Sequence, residues 1–269
     1  MSDPSPSPDR PVVLDVTDGV ATIRLARPEA MNSLDVATKQ ALLTAVTAAA
    51  EDAEVRCVVL TGTGRAFCVG QDLKEHVGLL REGSEALFRT VPEHYNPLVT
   101  ALATMPKPVV AAVNGVAAGA GAGLAFACDL RLVARSAGFN LAFAGIGLSC
   151  DSGSSWTLPR LVGTAKAMEL LYFPRTIGAE EALGLGLATT VVEDDALAEA
   201  AGALAARLAA GPTLSYAAIR RSVRYAAGHD LASSLDLEAE MMARTGASED
   251  HRNAVDAFVA KRPPVFEGR

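Results

Sequence analysis

The residues of this chain that could do chemistry are few, and the densest group of them has no reactive side chain. Lys107 to Asp129 reads KPVVAAVNGVAAGAGAGLAFACD. Val109 to Val113 is a β-branched apolar run, Asn114-Gly115 breaks it, and Ala120 to Cys128 has no breaker except small glycines. Strand, glycine turn and buried helix is the expected order. The first turn of a helix offers N–H groups without internal partners and a partial positive charge, which suits an anion or an oxygen about to become one. The glycines are followed by no Lys-Ser/Thr and by no acidic residue at the dinucleotide spacing, so neither nucleotide-loop pattern fits. As a membrane span the run is weak, because it is rich in Gly and Ala and holds Asn114.

The second candidate is a lone carboxylate. Asp151 stands in GLSCDSGSSWTLPR, just before an expected helix, where it can serve as an acid/base or merely as a cap. Cys68 and Cys150 flank this region, but the sequence supplies no adjacent base, so both read as small core residues. Glu75 and His76 are placed to touch a pocket or to line a solvated helix face, the simpler reading; His94 and Tyr95 read as pocket wall, and Trp156 as core.

These groups need elements to position them. Val12 to Val16 and Val20 to Leu25 alternate around Asp18-Gly19, the pattern of a tight hairpin. Asn32 to Asp35 can cap a helix running to about residue 50. Arg56 to Thr61 is a buried strand, followed by glycines and a sharp loop, Arg65 to Asp72, that leads into another helix. This repeats the logic of the central run. Gly78 to Glu93 reads as a polar surface excursion bordering a pocket, and Asn96 to Met105 as a helix. Leu130 to Ala134 and Phe139 to Phe143 are further expected strands, and Leu158 to Leu171 is helical. From Asp195 onward the chain is Ala-rich and helical. The expected organisation is a loose tail over 1–10, a mixed α/β core over 11–194 and a helical region over 195–269.

With 269 residues, half of them hydrophobic, the chain can bury a sizeable core. A formal net charge of −7 lacks the broad positive field that nucleic acid or an anionic membrane surface requires. Four cysteines without paired metal-ligand spacing suit a reducing cytoplasm, and no metal or separate cofactor is expected. The Ser-, Pro- and Asp-rich start has neither a basic stretch nor an apolar core, so it does not read as a signal peptide.

Four stretches carry a resemblance to a known family: RAFCVGQDLKE (Arg65 to Glu75), PKPVVAAVNGVAAGAGAGLAFACDLRL (Pro106 to Leu132), LPRLVGTAKAMELL (Leu158 to Leu171) and NAVDAFVAKRPPVF (Asn253 to Phe266). Together the chain resembles the enoyl-CoA hydratases and isomerases, the crotonases, over nearly everything after the tail. The resemblance implies the α/β crotonase fold, a spiral of ββα turns with trailing helices, assembled as homotrimers or pairs of trimers. It implies a substrate carried as a coenzyme A thioester. By the family pattern the backbone N–H groups of Gln71 and Ala120 hold the thioester oxygen, with Cys68, Gly70, Asp72, Gly119, Tyr95 and Phe143 around the acyl thioester. Arg27, and Phe258 and Lys261 from a neighbouring subunit, would meet the CoA phosphates and adenine, and Ala66 would lend backbone to the adenine site.

At the places where the family's hydratases carry two glutamates, this chain has Gly123 and Phe143. Asp151 instead resembles the carboxylate of the family's isomerases, including those that rearrange a ring-epoxide CoA thioester. The expected activity is therefore acyl-CoA isomerisation, with Asp151 moving a proton while Gln71 and Ala120 hold the enolate. A hydratase in which Asp151 positions water and a non-catalytic acyl-CoA-binding protein are the main alternatives, with thioester hydrolysis a weaker third.

Overall fold

A computed structural model describes residues 10–269, so the tail expected over 1–10 lies, apart from Arg10, outside the described residues. The chain opens as read: β1 (Val12–Thr17) and β2 (Val20–Leu25) pair antiparallel. Asp18 and Gly19 both turn through positive φ, 50° and 76°, as a two-residue hairpin between right-twisted strands requires. Asp35 accepts from the N–H of Thr38 and caps α1 (Val36–Glu51). The buried face of α1 includes Leu42, Val46 and, against expectation for a lysine, Lys39.

Three ββα turns follow. In the first, β3 (Cys57–Gly62) leads to β4 (Ala66–Cys68) and α2 (Leu73–Arg81). Next come α3 (Ala86–Thr90), a π-helical turn over Val91–Tyr95 and α4 (Asn96–Thr104). The second turn is β5 (Val109–Val113), β6 (Val116–Ala118) and α5 (Ala120–Ala127). The third is β7 (Leu130–Ala134), β8 (Gly138–Asn140) and, after the loop that carries Asp151, α6 (Ser154–Val162). The chain then runs through α7 (Thr164–Tyr172), β9 (Thr176–Gly178), α8 (Ala179–Gly184) and β10 (Thr190–Val192). It ends in α9 (Leu197–Ala209), α10 (Thr213–Ala226), α11 (Leu231–Gly246) and α12 (Glu249–Val259).

Among the described residues each turn gives one strand to each of two sheets. The larger has the order β1-β2-β3-β5-β7-β10 and is parallel from β2 onward; the smaller is β4-β6-β8-β9. Stacking turn upon turn is the crotonase spiral, and it sets β4 directly beside β6. The loops that follow those two strands are thereby brought together. Side-chain amides tie the crossovers: Asn32 and Asn114 both donate to Ala66 O, at 2.7 and 3.1 Å. The core lies between the sheets and their helices and includes α9, through Leu197, Ala201, Ala205 and Ala209. Helices α10 and α11 form a smaller cluster of Ala218, Leu237 and Met241. Arg220 and Arg224 on α10 anchor it to the Asp129 carboxylate, at 2.6 and 3.1 Å. No helix among the described residues is long and apolar enough to cross a membrane.

Several expectations need correction. Gly78 to Glu93 is largely exposed, as a surface excursion is, but it is helical: it holds the end of α2, all of α3 and the start of the π turn. The strand expected over Phe139 to Phe143 ends at Asn140, because the chain turns into a 3-10 helix at Ala144–Ile146. Leu158 to Leu171 is two helices parted at Gly163, whose φ is +79°. Trp156 is 40% exposed rather than core, its ring covered on one face by the Arg160 guanidinium at 4.2 Å.

Candidate active site

The adjacency of β4 and β6 decides where two backbone donors meet. After β4 the chain passes Gly70 (φ +82°) into Gln71, which forms a parallel bridge with Leu34. In that bridge the Leu34 N–H donates to Gly70 O at 2.8 Å and the Asp72 N–H to Leu34 O at 3.2 Å. The residue between two such bonds points its own N–H to the opposite side. After β6, Gly119 (φ +51°) turns the chain so that Ala120 is the first residue of α5, with no side chain capping it. No acceptor within the described residues is paired with the N–H of either Gln71 or Ala120. The two segments almost touch: a Cβ on residue 70 would stand 2.8 Å from Ala118 O and 3.2 Å from Ala120 N. Only glycine permits that approach, and it leaves two unpaired donors side by side at a helix start. Such a pair stabilises negative charge on an oxygen placed between them.

The loop that carries Asp151 packs on the same helix, α5, that begins at Ala120. It turns through positive φ at Ser152 (+51°) and Gly153 (+72°), against the middle of that helix. A Cβ on Gly123 would lie 2.6 Å from Ser152 O and 2.7 Å from Ser152 Cβ. The missing side chain at 123 is thus the space the Asp151 loop occupies. The carboxylate accepts from Ser152 Oγ at 2.9 Å, and no basic side chain is paired with it among the described residues. Burial pushes its pKa above the usual carboxylate range, with the Ser152 bond pulling weakly the other way. Gly153, not Asp151, is the N-cap of α6, so capping is not what the side chain does. Gly123→Glu, which restores the residue type of the family's hydratases, should therefore displace the Asp151 loop. We expect a loss of about 1–3 kcal/mol of stability from overpacking and no gain of hydration, read by thermal denaturation and a hydration assay.

The remaining expected residues are distributed as follows. Phe143 is buried beside the Gly119 turn, its ring 3.9 Å from a Cβ built on Gly119. Tyr95 is buried, and its hydroxyl donates to Gln71 Oε1 at 2.6 Å. Burial raises its pKa, with the Asp151 carboxylate as the next cause, which places those two groups within electrostatic reach. Cys68 is buried in β4 and burial pushes its thiol up to about 12, so it is no nucleophile at neutral pH. Ala66 is buried at the start of the same strand. Asp72 caps α2 through the N–H groups of Lys74 and Glu75. Burial alone would raise its pKa, but Ser33, those two N–H groups and Arg27 outweigh it and hold the carboxyl below its usual range. Arg27 spans Asp35 and Asp72 at 3.1 and 3.2 Å and donates to Ser33 O at 2.7 Å, so it ties together the N-cap residues of α1 and α2. Phe258 is 83% exposed on α12, and Lys261 follows that helix with φ +53°.

Two residues not singled out as site residues in the sequence lie under this site. Lys39 is fully buried and donates to Gln71 Oε1 (3.1 Å), Glu75 Oε1 (3.1 Å) and Thr90 Oγ1 (2.8 Å). Glu75, expected on a solvated face, instead accepts from Lys39, Gln71 Nε2 (2.9 Å) and the Val36 N–H (2.8 Å). His94 pairs with Thr90 Oγ1 at 3.3 Å, and burial followed by the Lys39 charge lowers its pKa. A cavity of about 460 Å³ adjoins the Asp151 loop, lined by Phe143, Leu148, Cys150, Met168 and Leu171 among others. Two larger cavities, of about 690 and 670 Å³, flank Arg220 where α10 meets the core, and neither is lined by Gln71, Ala120 or Asp151.

Comparison with known proteins follows the same lines. The sequence profile described as enoyl-CoA hydratase/isomerase matches residues 15–269. A protein of Rhodobacter capsulatus named probable enoyl-CoA hydratase is 45% identical over 95% of this chain and 97% of its own. The 1,2-epoxyphenylacetyl-CoA isomerase of Escherichia coli is 42% identical over 94% of this chain and 97% of its own. A crystal structure from Mycobacterium abscessus, titled a putative enoyl-CoA hydratase/isomerase, superposes with a TM-score of 0.93. It is 46% identical over 96% of this chain and 100% of that one.

Proposed function

Because the chain belongs to the enoyl-CoA hydratase/isomerase family, we propose that it is an acyl-CoA isomerase that works through a thioester enolate with Asp151 as its single acid/base. The observation that carries this reading is the Asp151 carboxylate itself: desolvated, paired with no cation among the described residues, free of capping duty and held on a loop packed on Gly123, the position of a hydratase glutamate.

In this reading the thioester oxygen accepts from the Gln71 and Ala120 N–H groups. Asp151 takes a proton from one carbon of the acyl chain, the electron pair moves through the conjugated system onto the thioester oxygen, and the carboxyl group returns the proton at another carbon. The double bond shifts and no atom is gained or lost. The same polarised thioester and mobile proton serve the rearrangement of a ring-epoxide thioester, the substrate type in the name of the Escherichia coli relative. A raised carboxyl pKa makes Asp151 a stronger base for a carbon acid than a free carboxylate. The CoA portion would run past Arg27 and Ala66, with Phe258 and Lys261 supplied by a neighbouring subunit of a homotrimer or hexamer. The exposure of Phe258 and of Val259, 83% and 76% in the single chain, supports that assignment.

One finding favours a second reading, hydration with Asp151 positioning water: the Rhodobacter capsulatus relative bears a hydratase name. Supplying 2-enoyl-CoA and 3-enoyl-CoA separately and following product mass separates them. Isomerisation interconverts the two without a mass change, whereas hydration consumes the 2-enoyl thioester with gain of one water. Tight binding with no change in either thioester would leave a non-catalytic acyl-CoA-binding protein.

A further inference from the structure

The oxyanion turn does not stand alone; it sits on a buried polar network whose centre is an ammonium group. Lys39 projects from the middle of α1 with its side chain 0% exposed, and none of its three acceptors is near it in sequence. They are Gln71 Oε1 on the turn, Glu75 Oε1 on α2 and Thr90 Oγ1 on α3. Tyr95 closes the group from the π turn: its hydroxyl takes the other side of Gln71 Oε1, and its ring lies 5.6 Å from the Lys39 ammonium. Gln71 Nε2 is held in turn by Glu75. Every polar atom of the Gln71 carboxamide is thus engaged, while its backbone N–H is left unpaired.

Burying an ammonium costs several kcal/mol unless it is fully paired. Here it is paired, with the Glu75 carboxylate and the Gln71 and Thr90 side-chain oxygens all within 3.1 Å. The ammonium and the Glu75 carboxylate that neutralises it both bond the Gln71 carboxamide, one at Oε1 and the other at Nε2, so the ion pair converges on the residue whose main-chain N–H has no partner among the described residues. Gln71 also lies just past Gly70, at a point of the chain where backbone freedom is greatest. A side chain clamped on three sides removes that freedom and fixes the plane of its peptide.

We propose that Lys39, acting with Tyr95, is a positioning residue: the two clamp the Gln71 carboxamide and thereby hold its backbone N–H at the angle that polarises the thioester carbonyl. The inference rests on the reading of Gln71 as an oxyanion donor. It also gives the helical segment from α3 to the π turn a task, because Thr90 and Tyr95 reach the turn through this clamp. A donor that drifts by a few tenths of an ångström still binds substrate but stabilises less of the developing charge, so the effect belongs in kcat and not in KM.

The test uses the full-length protein with two ligands: 3-enoyl-CoA for the kinetics, and a saturated acyl-CoA labelled with ¹³C at the thioester carbon, which binds but has no double bond to move. Lys39→Met should fold, because Glu75 keeps the Val36 and Gln71 donors when the amine is removed. Relative to wild type, kcat should fall about 10- to 100-fold, a part of the effect of losing one oxyanion donor, with KM within threefold. The downfield shift of the bound carbonyl resonance should shrink by at least half. Tyr95→Phe removes a single hydroxyl and carries the test whether or not the lysine variant folds; a smaller change of the same kind in both kcat and the carbonyl shift is expected. Asp151→Asn should keep the full carbonyl shift, so loss of the clamp and failure of the proton-transfer reading give different results. A wild-type carbonyl shift in Tyr95→Phe or Lys39→Met, or a loss expressed only in KM, overturns the proposal.

Discussion

Asp151→Asn should lower kcat by roughly 10³-fold, the middle of the range for loss of a general acid/base, while KM for the CoA thioester changes less than fivefold. The amide is nearly isosteric and can still accept from Ser152 Oγ, so the loop on Gly123 keeps its packing. Only the capacity to hold a proton disappears. The same substitution should raise the melting temperature at pH 7. Burial lifts the folded pKa of Asp151 above its unfolded value. Between the unfolded value, about 4, and the raised folded one, the native state therefore binds more protons than the unfolded state, and stability falls as pH rises through that window. The wild-type carboxylate is thus a liability at neutral pH that the amide removes, and the advantage of the variant should shrink as pH drops toward 4. Paired kinetic and thermal measurements at pH 7 and pH 4.5 check both halves. In wild type, the acid limb of the kcat/KM profile should fall at a pH above the ordinary carboxylate range. An active variant, or one less stable than wild type at pH 7, would contradict the assignment.

Gly70→Ala acts on the other half of the site and should fail in the opposite pattern. At φ +82° a Cβ is strained by about 1–2 kcal/mol. Here it would also stand 2.8 Å from Ala118 O and 3.2 Å from Ala120 N. Those contacts involve backbone atoms of β6 and the start of α5, which cannot swing aside as a side chain can. The two segments must separate, and their spacing is what lets one oxygen reach both N–H groups. We expect kcat to drop by about 10²–10³-fold, as when one oxyanion donor is lost, together with a lower melting temperature. Activity within tenfold of wild type would mean that the two donors do not act as a pair. One variant gains stability as it loses activity; the other loses both.

Much of this arrangement is legible in the sequence because it is local. The hairpin at Asp18-Gly19 and the Asp35 cap are written in consecutive residues and form as read; so do the strand Val109–Val113 and the helix that starts at Ala120, whereas the short strand β6 between them is not marked in the sequence. The three-residue strands β4, β6 and β8 are too short to show a period of two; their order comes from stacking of the spiral. The segment between α2 and α4 is polar and punctuated by Gly83 and Pro92, which hides its helical character.

The less legible part of the site is long-range. Lys39 lies 32 residues from Gln71 and 51 from Thr90, and on α1 nothing distinguishes it from a lysine facing solvent. Glu75 sits at a helix start where a surface carboxylate is ordinary, and only the fold turns it toward Lys39. The fit of the Asp151 loop against Gly123 likewise joins residues that no spacing rule connects. An absent side chain in the sequence becomes an occupied space in the structure.

The most direct measurement is a crystal structure with a bound, non-reacting acyl-CoA. The account predicts the thioester oxygen about 2.7–3.1 Å from both Gln71 N and Ala120 N, and an Asp151 carboxylate oxygen about 3–3.5 Å from the carbon that loses its proton. A thioester oxygen that meets neither N–H, or an Asp151 side chain turned away from the acyl group, would contradict it.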